Sequence, residues 1–199
     1  MSEAPFARFV LRPAARALAG TPAPPGVVTV LLAVFACGAG AALADGRVAA
    51  GGAAIAMTTL LAALPGELAR QGKPGTPFGN VLQAVAGRYA EAAILAGMTV
   101  HAVRFEDWPR PEVIGGLALA ASLTVAYAAA RIGASLGQGR GSPAPVSFLE
   151  AQETRWAIAA VGAFSGQCYW ALVAIAAAGG LATTWRLAYL RLRRIGLEA

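Results

Sequence analysis

Long apolar blocks alternate with short polar connections along most of this chain. Six such blocks predict helices, at residues 27–44, 48–64, 80–103, 113–133, 154–164 and 168–190. A helix needs about 20 apolar residues to cross a bilayer, and most of the blocks approach that length. The last two blocks together exceed one crossing, since a helix rises about 1.5 Å per residue, and we expect a turn between them. The pattern predicts an all-α integral membrane protein with six transmembrane helices.

The N-terminal residues have a different pattern from the rest of the chain. Residues 4–19 mix aromatic and aliphatic side chains with three arginines. This mixture predicts an amphipathic helix in the headgroup layer, with the arginines reaching lipid phosphates. Because Pro13 interrupts the period, a disordered basic tail is the alternative. We therefore divide the chain into an interfacial helix with its linker (1–25), a six-helix membrane domain (26–194) and a short tail (195–199).

Composition and charge support a membrane protein and exclude a nucleic-acid partner. The chain is 57% hydrophobic and 13% charged, which is outside the usual range of soluble domains. Its net charge is +6, but the basic residues flank the apolar blocks and form no continuous stripe. With six spans, twelve basic residues fall on the side of both termini and three on the other. The positive-inside rule then predicts cytoplasmic termini in a bacterial inner membrane, next to anionic lipids.

The cysteines, the histidine and the tryptophans give little sign of a site. Cys37 and Cys168 lie inside apolar blocks, and His101 has no cysteine or histidine near it in the sequence. We therefore expect neither a disulfide nor a zinc site. Four tryptophans near block ends are expected at the membrane–water interface. They are Trp108, Trp156, Trp170 and Trp185.

Residues 62–91 form the most distinctive segment, with the sequence AALPGELARQGKPGTPFGNVLQAVAGRYAE. Its Gly66, Ala69, Arg70 and Gly79 are spaced as in the signature D-x2-D-G-x2-A-R-x8-G-x3-D-x3-D. On these residues the chain resembles the CDP-alcohol phosphotransferases, membrane enzymes of phospholipid synthesis. TPAPPGVVT before the first block and EAQETRWAIAAVG at the fifth extend the resemblance over nearly the whole chain.

The resemblance implies a six-helix fold, a dimer, and group transfer from CDP-diacylglycerol or another CDP-alcohol. In the family, three of the motif aspartates hold two Mg2+ or Mn2+ ions, and the fourth acts as a base on the alcohol. Here the four aspartate positions hold Ala62, Pro65, Gln83 and Gly87. Hard divalent cations prefer carboxylate oxygens, and a glutamine amide is a weak ligand and no base. We therefore expect no catalytic residue, no metal and no cofactor at this site.

The remaining motif residues and two charged neighbours are expected to line a ligand cavity. They are Gly66, Ala69, Arg70, Gly79, Arg88 and Glu91. Arg88 and Glu91 lie three apart in the third block, and charges are costly in lipid unless they are paired or face a cavity. A polar pocket and a mutually satisfied ion pair are both compatible with that spacing. Arg70 and Lys73 either bind phosphate oxygens or anchor the connecting loop.

Three functions are compatible with the segment 62–91. The first is an inactive family member that forms a homodimer, pairs with an intact enzyme, or binds a CDP-lipid or headgroup. The second is an active transferase with acids supplied by Glu91 or by a partner. The third is a structural membrane scaffold. The absence of all four aspartates from an otherwise matching motif favours the first.

Overall fold

The six apolar blocks form six α-helices. A computed structural model describes the backbone of residues 25–70, 76–136 and 151–195, and these residues are helical apart from short connections. The helices are α1 (Pro25–Ala44), α2 (Val48–Arg70), α3 (Pro77–Phe105), α4 (Pro111–Leu136), α5 (Gln152–Phe164) and α6 (Cys168–Ile195). Each coincides with one predicted block. The interfacial helix predicted for residues 4–19, Lys73 and the C-terminal tail lie outside the described residues.

Four of these helices are long and apolar enough to cross a membrane. They are α1, α2, α4 and α6. The helix α5 has 13 residues, about 20 Å of rise, against a hydrocarbon core of about 30 Å. The helix α3 has 29 residues, which is long enough to cross, but it carries Arg88 and Glu91 near its middle. The structure confirms an all-helical membrane protein, and the count of six crossings stays a prediction.

The helix α3 organises the bundle because it contacts α1, α4, α5 and α6. The helix α1 also packs along α2, while α4 packs along α6, and α5 sits against α2 and α6. Their shared core contains large aliphatic side chains that are almost completely buried. Among them are Leu32, Leu43, Ile55, Ile94, Met98 and Leu172. In lipid, this close packing stabilises the bundle mainly through dispersion contacts.

Small residues allow α1 and α3 to cross closely. Gly40 of α1 and Gly97 of α3 meet backbone to backbone, and a Cβ added at either would collide with the facing main chain. Glycine thus serves close helix packing at this pair. Gly38 and Gly116 face open space and take no part in such packing.

Three short connections lie at the same end of the bundle, opposite the motif segment. They link α1 to α2, α3 to α4, and α5 to α6. Gly46 (φ 80°) and Gly166 (φ 66°) adopt the left-handed conformation that ends α1 and α5 tightly. The predicted turn between the last two apolar blocks is therefore confirmed.

Trp156 corrects the prediction that all four tryptophans are interfacial. Its side chain is buried, because α5 is covered by α2 and α6. Its Nε1 has no hydrogen-bond partner among the described residues. Trp108, Trp170 and Trp185 are exposed, as expected of interfacial residues.

Candidate functional site

The first and third motif positions meet between α2 and α3. The Gln83 Nε2 of α3 donates to the Ala62 carbonyl of α2 over 3.3 Å. Pro65 lies inside α2 and has no N–H to donate to the carbonyl one turn earlier. Gly66 follows it and is exposed. Two of the positions singled out from the sequence are thus brought into direct contact.

Other motif residues occupy the ends of the same two helices. The Gly79 N–H donates to the Thr76 Oγ1 over 3.1 Å, so this glycine belongs to the N-terminal cap of α3. Ala69 and Arg70 belong to the last turn of α2. Their side chains lie outside the described part of the chain, and the predicted phosphate contact of Arg70 stays a prediction.

The fourth motif position, Gly87, is contacted by a side chain of the neighbouring helix α5. Gly87 is buried, and the Gln152 Nε2 of α5 lies 3.4 Å from its carbonyl oxygen. A Cβ at position 87 would lie 3.1 Å from that nitrogen and 3.5 Å from Gln152 Oε1. The Gln152 amide therefore packs directly against position 87, and a side chain there would require the amide to shift by a few tenths of an ångström.

A buried charged cluster lies one turn further along α3. Arg155 Nε donates to Glu91 Oε1 over 2.7 Å, and Arg155 Nη2 donates to Oε2 over 3.3 Å. Arg88 Nη1 donates to Glu91 Oε2 over 2.8 Å, and Arg88 Nη2 donates to Gln152 Oε1. Glu91 and Arg155 are almost fully buried, at 2% and 1% exposure. The predicted Arg88–Glu91 pair is present, but it is part of a larger cluster with two cations and one anion.

Arg155 and Gln152 are the site residues that the sequence did not identify. Arg155 is one of the twelve basic residues that the positive-inside rule predicts on the cytoplasmic side, yet its guanidinium is buried against Glu91. Arg155 and Glu91 are 64 positions apart and lie on different helices, so the spacing of residues along one helix could not predict that they pair. The only sequence signal was the family-like stretch EAQETRWAIAAVG, which contains both Gln152 and Arg155.

A cleft of about 570 Å³ opens beside this cluster, between α3, α4 and α5. Its polar lining consists of Arg88, Arg155 and Gln152. The remaining walls are apolar and consist of Val81, Ala84, Val85, Val125, Ala126 and Ala129. Its volume falls within the range of small-molecule sites, about 300–1,000 Å³. Two arginine side chains at one end and apolar walls suit an amphiphilic anion.

The motif positions of this chain do not fit a carboxylate-bound metal centre. The side chains at positions 62, 65, 83 and 87 offer one neutral amide oxygen, that of Gln83. The nearby Glu91 already accepts hydrogen bonds from Arg88 and Arg155 on both of its oxygens. Mg2+ and Mn2+ favour carboxylate oxygens, which no other described side chain of the cluster supplies.

These features define a class: an integral membrane helical bundle with a charged, apolar-walled cleft between its third, fourth and fifth helices. No family model matches the sequence. A bifunctional IPC transferase and DIPP synthase from Rubrobacter xylanophilus is 35% identical over 176 residues. The match covers 87% of this chain and 38% of that protein, so the chain spans less than half of it. Phosphatidylinositol phosphate synthase from Mycobacterium tuberculosis is 34% identical over 155 residues, 77% of this chain and 68% of the enzyme.

Solved structures agree with these relatives. The M. tuberculosis phosphatidylinositol phosphate synthase with CDP-DAG bound has a TM-score of 0.68 and 26% identity, with 90% of this chain and 92% of the enzyme covered. The chain belongs to the CDP-alcohol phosphotransferase family. The resemblance inferred from the motif is thereby confirmed, and the relatives are active enzymes of phospholipid synthesis.

The expectation that no metal or cofactor is involved is contradicted by the comparisons. The M. tuberculosis enzyme was also solved in complex with manganese and citrate, and that structure matches 89% of this chain with a TM-score of 0.67. Divalent ions therefore belong to the chemistry of the family, and an assay of this chain must include them. The absence of the four motif aspartates is therefore not enough to exclude a metal from the whole protein.

Proposed function

We propose that this protein binds a CDP-activated lipid in the cleft beside Arg88 without catalysing the transfer reaction of its relatives. This proposal rests on the buried cluster in which the Glu91 carboxylate is shared by Arg88 and Arg155. It holds the Glu91 carboxylate in two ion pairs, while the Arg88 guanidinium stays partly exposed at the wall of the cleft. A diphosphate would be attracted to such a cluster, and a general base would not be free there.

The apolar walls of the cleft support a lipid rather than a free nucleotide. Six small or β-branched residues of α3 and α4 line it opposite the arginines. An acyl chain would lie against these residues while its phosphates stay near Arg88, whose side chain is 29% exposed. A structural neighbour was solved with CDP-DAG bound, which makes this lipid the first ligand to test.

The test measures binding and turnover on the same preparation. The purified protein in lipid nanodiscs is titrated with CDP-diacylglycerol, and binding is followed by thermal stabilisation and native mass spectrometry. CMP release is then measured with Mn2+ or Mg2+ and a panel of free and phosphorylated alcohols, with the M. tuberculosis synthase as the positive control. We expect saturable binding and no CMP release above the protein-free background. Metal-dependent CMP release would refute the inactive assignment.

Arg88→Gln separates specific binding from general attraction to a cationic protein. It removes a charge-assisted contact worth about 1.5–3 kcal/mol, so we expect CDP-diacylglycerol binding to weaken by about 10–100-fold. Arg104→Gln is the matched control, because Arg104 is exposed and lies at the opposite end of α3. Equal losses in the two variants would argue against a site beside Arg88.

An active transferase is the second candidate, favoured by the 34–35% identity to working enzymes. It requires acids from outside the four motif positions, either Glu91 or a partner subunit. In that case Glu91→Gln abolishes metal-dependent CMP release while the protein still elutes as a single folded species. If the wild type shows no release with any ion or alcohol, this candidate is excluded.

Partnership and topology complete the proposal. A homodimer, or a heterodimer with an intact family member, is supported by the family resemblance, and affinity purification from the native membrane tests for such a partner.

Six crossings with both termini in the cytoplasm are supported by the helix order and by twelve basic residues on one predicted side. Fluorescent and alkaline phosphatase fusions after Ala44, Arg110 and the C-terminus test each side in turn.

A further inference from the structure

A second cluster of ligand-type side chains lies at the end of the bundle opposite the motif. His101 belongs to the last turns of α3, Glu106 follows α3 directly, and Cys168 begins α6. One imidazole nitrogen, one carboxylate oxygen and one sulfur all lie within 4.8 Å of one another. In the sequence His101 has no cysteine or histidine nearby, but the fold places two ligand-type side chains beside it. The chain brings Cys168 to it from 67 positions away.

The histidine ring has its coordinating nitrogen turned toward the cluster. Its Nδ1 lies 3.1 Å from the carbonyl oxygen of Leu43, which only accepts hydrogen bonds. The neutral ring therefore carries its proton on Nδ1, and Nε2 keeps a free lone pair. Nε2 faces Glu106 Oε1 across 3.9 Å, which is longer than a hydrogen bond. A backbone carbonyl that fixes the other ring nitrogen is the usual support of a metal-bound histidine.

The carboxylate is also held in place by backbone groups. Glu106 Oε1 accepts from the Cys168 N–H over 2.7 Å, and Oε2 accepts from the Tyr169 N–H over 3.1 Å. A carboxylate offers about four lone-pair positions, so these bonds leave capacity on the side facing His101. The start of α6 thus orients the carboxylate and places the Cys168 sulfur beside it.

The cluster is enclosed by protein. Cys168 is fully buried, and the side chains of His101 and Glu106 are 6% and 8% exposed. The Phe105 ring packs on the His101 ring with centroids 5.0 Å apart. Trp108 stacks on Tyr169 at 5.6 Å, next to Glu106. These rings restrict the ligand side chains to a small range of positions, which lowers the ordering cost of binding an ion.

We propose that His101 Nε2, the Glu106 carboxylate and Cys168 Sγ bind one zinc-class divalent ion, with water as the fourth ligand. Imidazole and thiolate ligands favour zinc over Mg2+ or Mn2+, so this site is different in kind from a carboxylate-bound manganese centre. Ligand atoms of a tetrahedral zinc with one sulfur lie about 3.3–3.5 Å apart, given bonds of about 2.0 Å to N or O and 2.3 Å to S. Side-chain shifts of about 1 Å would bring the three ligand atoms from their observed separations into that range. The bound ion ties the end of α3 to the start of α6.

Metal content and a cobalt spectrum test the site on the full-length protein. Protein stripped with a chelator and held in lipid nanodiscs is loaded with Zn2+ or Co2+, and bound metal is counted by mass spectrometry after desalting. We expect about one tightly held ion per chain. The Co2+ form is expected to show a near-ultraviolet sulfur-to-metal charge-transfer band, because a thiolate is one of the ligands. A wild-type Co2+ spectrum without that band overturns the proposal, whatever the variants do.

Matched variants assign the ligands. Cys168→Ser is expected to abolish the charge-transfer band, and His101→Gln to weaken binding at least tenfold. Cys37→Ser, at an exposed position on α1, is the control and is expected to retain both band and stoichiometry. Zinc is also expected to raise the unfolding midpoint of the wild type and of Cys37→Ser alone. Equal metal binding in all four proteins would show adventitious surface binding and refute the site.

Discussion

Glu91→Gln removes the shared charge of the Arg88–Glu91–Arg155 cluster while keeping the shape of the side chain. Glu91 accepts two hydrogen bonds from Arg155 and one from Arg88, and it is 2% exposed. Breaking a buried ion pair by removing one partner costs about 3–5 kcal/mol, because the opposite charge stays buried. Arg88 is 29% exposed and regains some hydration, so we take the lower end, about 3 kcal/mol.

Thermal unfolding followed by tryptophan fluorescence measures this loss. For a chain of this length each kcal/mol lowers the midpoint by about 2–4 °C, so we expect a decrease of about 6–12 °C. Glu112→Gln is the control, because Glu112 is exposed in the first turn of α4 and interacts mainly with the helix dipole. The free energy of unfolding is expected to fall by less than about 1 kcal/mol in Glu112→Gln.

The double variant Glu91→Gln/Arg155→Gln tests whether charge is the cause. Removing both partners leaves no excess buried charge at that pair, so the double variant is expected to lose less than the sum of the two single losses. We expect a coupling of about 1–3 kcal/mol. Strict additivity, or a Glu91→Gln midpoint equal to that of Glu112→Gln, would refute the assignment of a stabilising buried cluster.

Three further outcomes check the packing and the helix ends. Gly97→Val, at the crossing of α1 and α3, is expected to cost about 1–3 kcal/mol in thermal unfolding, whereas Gly116→Val faces open space and is expected to leave the midpoint within about 1 °C. Glu106→Gln weakens the cap at the start of α6, and a loss of about 1–2 kcal/mol in the same assay is expected. Cys37 is exposed and Cys168 buried, so a maleimide in detergent is expected to label Cys37 at least about tenfold faster, and comparable rates would contradict this packing.

The helices and the family were determined by the sequence alone. Apolar blocks of near-spanning length can satisfy their backbone groups in lipid only as helices, so α1 to α6 follow from local composition. The four motif landmarks from Gly66 to Gly79 were enough to indicate the family, because their spacing is a property of the chain and needs no fold. The Arg88–Glu91 pair was also predictable, since residues three apart share a helix face.

The contents of both sites were decided by the tertiary structure. Gln152 reaches Gly87 across 65 positions, Arg155 reaches Glu91 across 64, and Cys168 reaches His101 across the bundle. Sequence spacing fixes which residues share a face of one helix but not which face of another helix meets it. That choice depends on how α3, α5 and α6 rotate and pack, which is set by close contacts such as Gly40 against Gly97. For this reason an arginine interpreted as an interfacial charge is a buried partner, and an isolated histidine is part of a cluster.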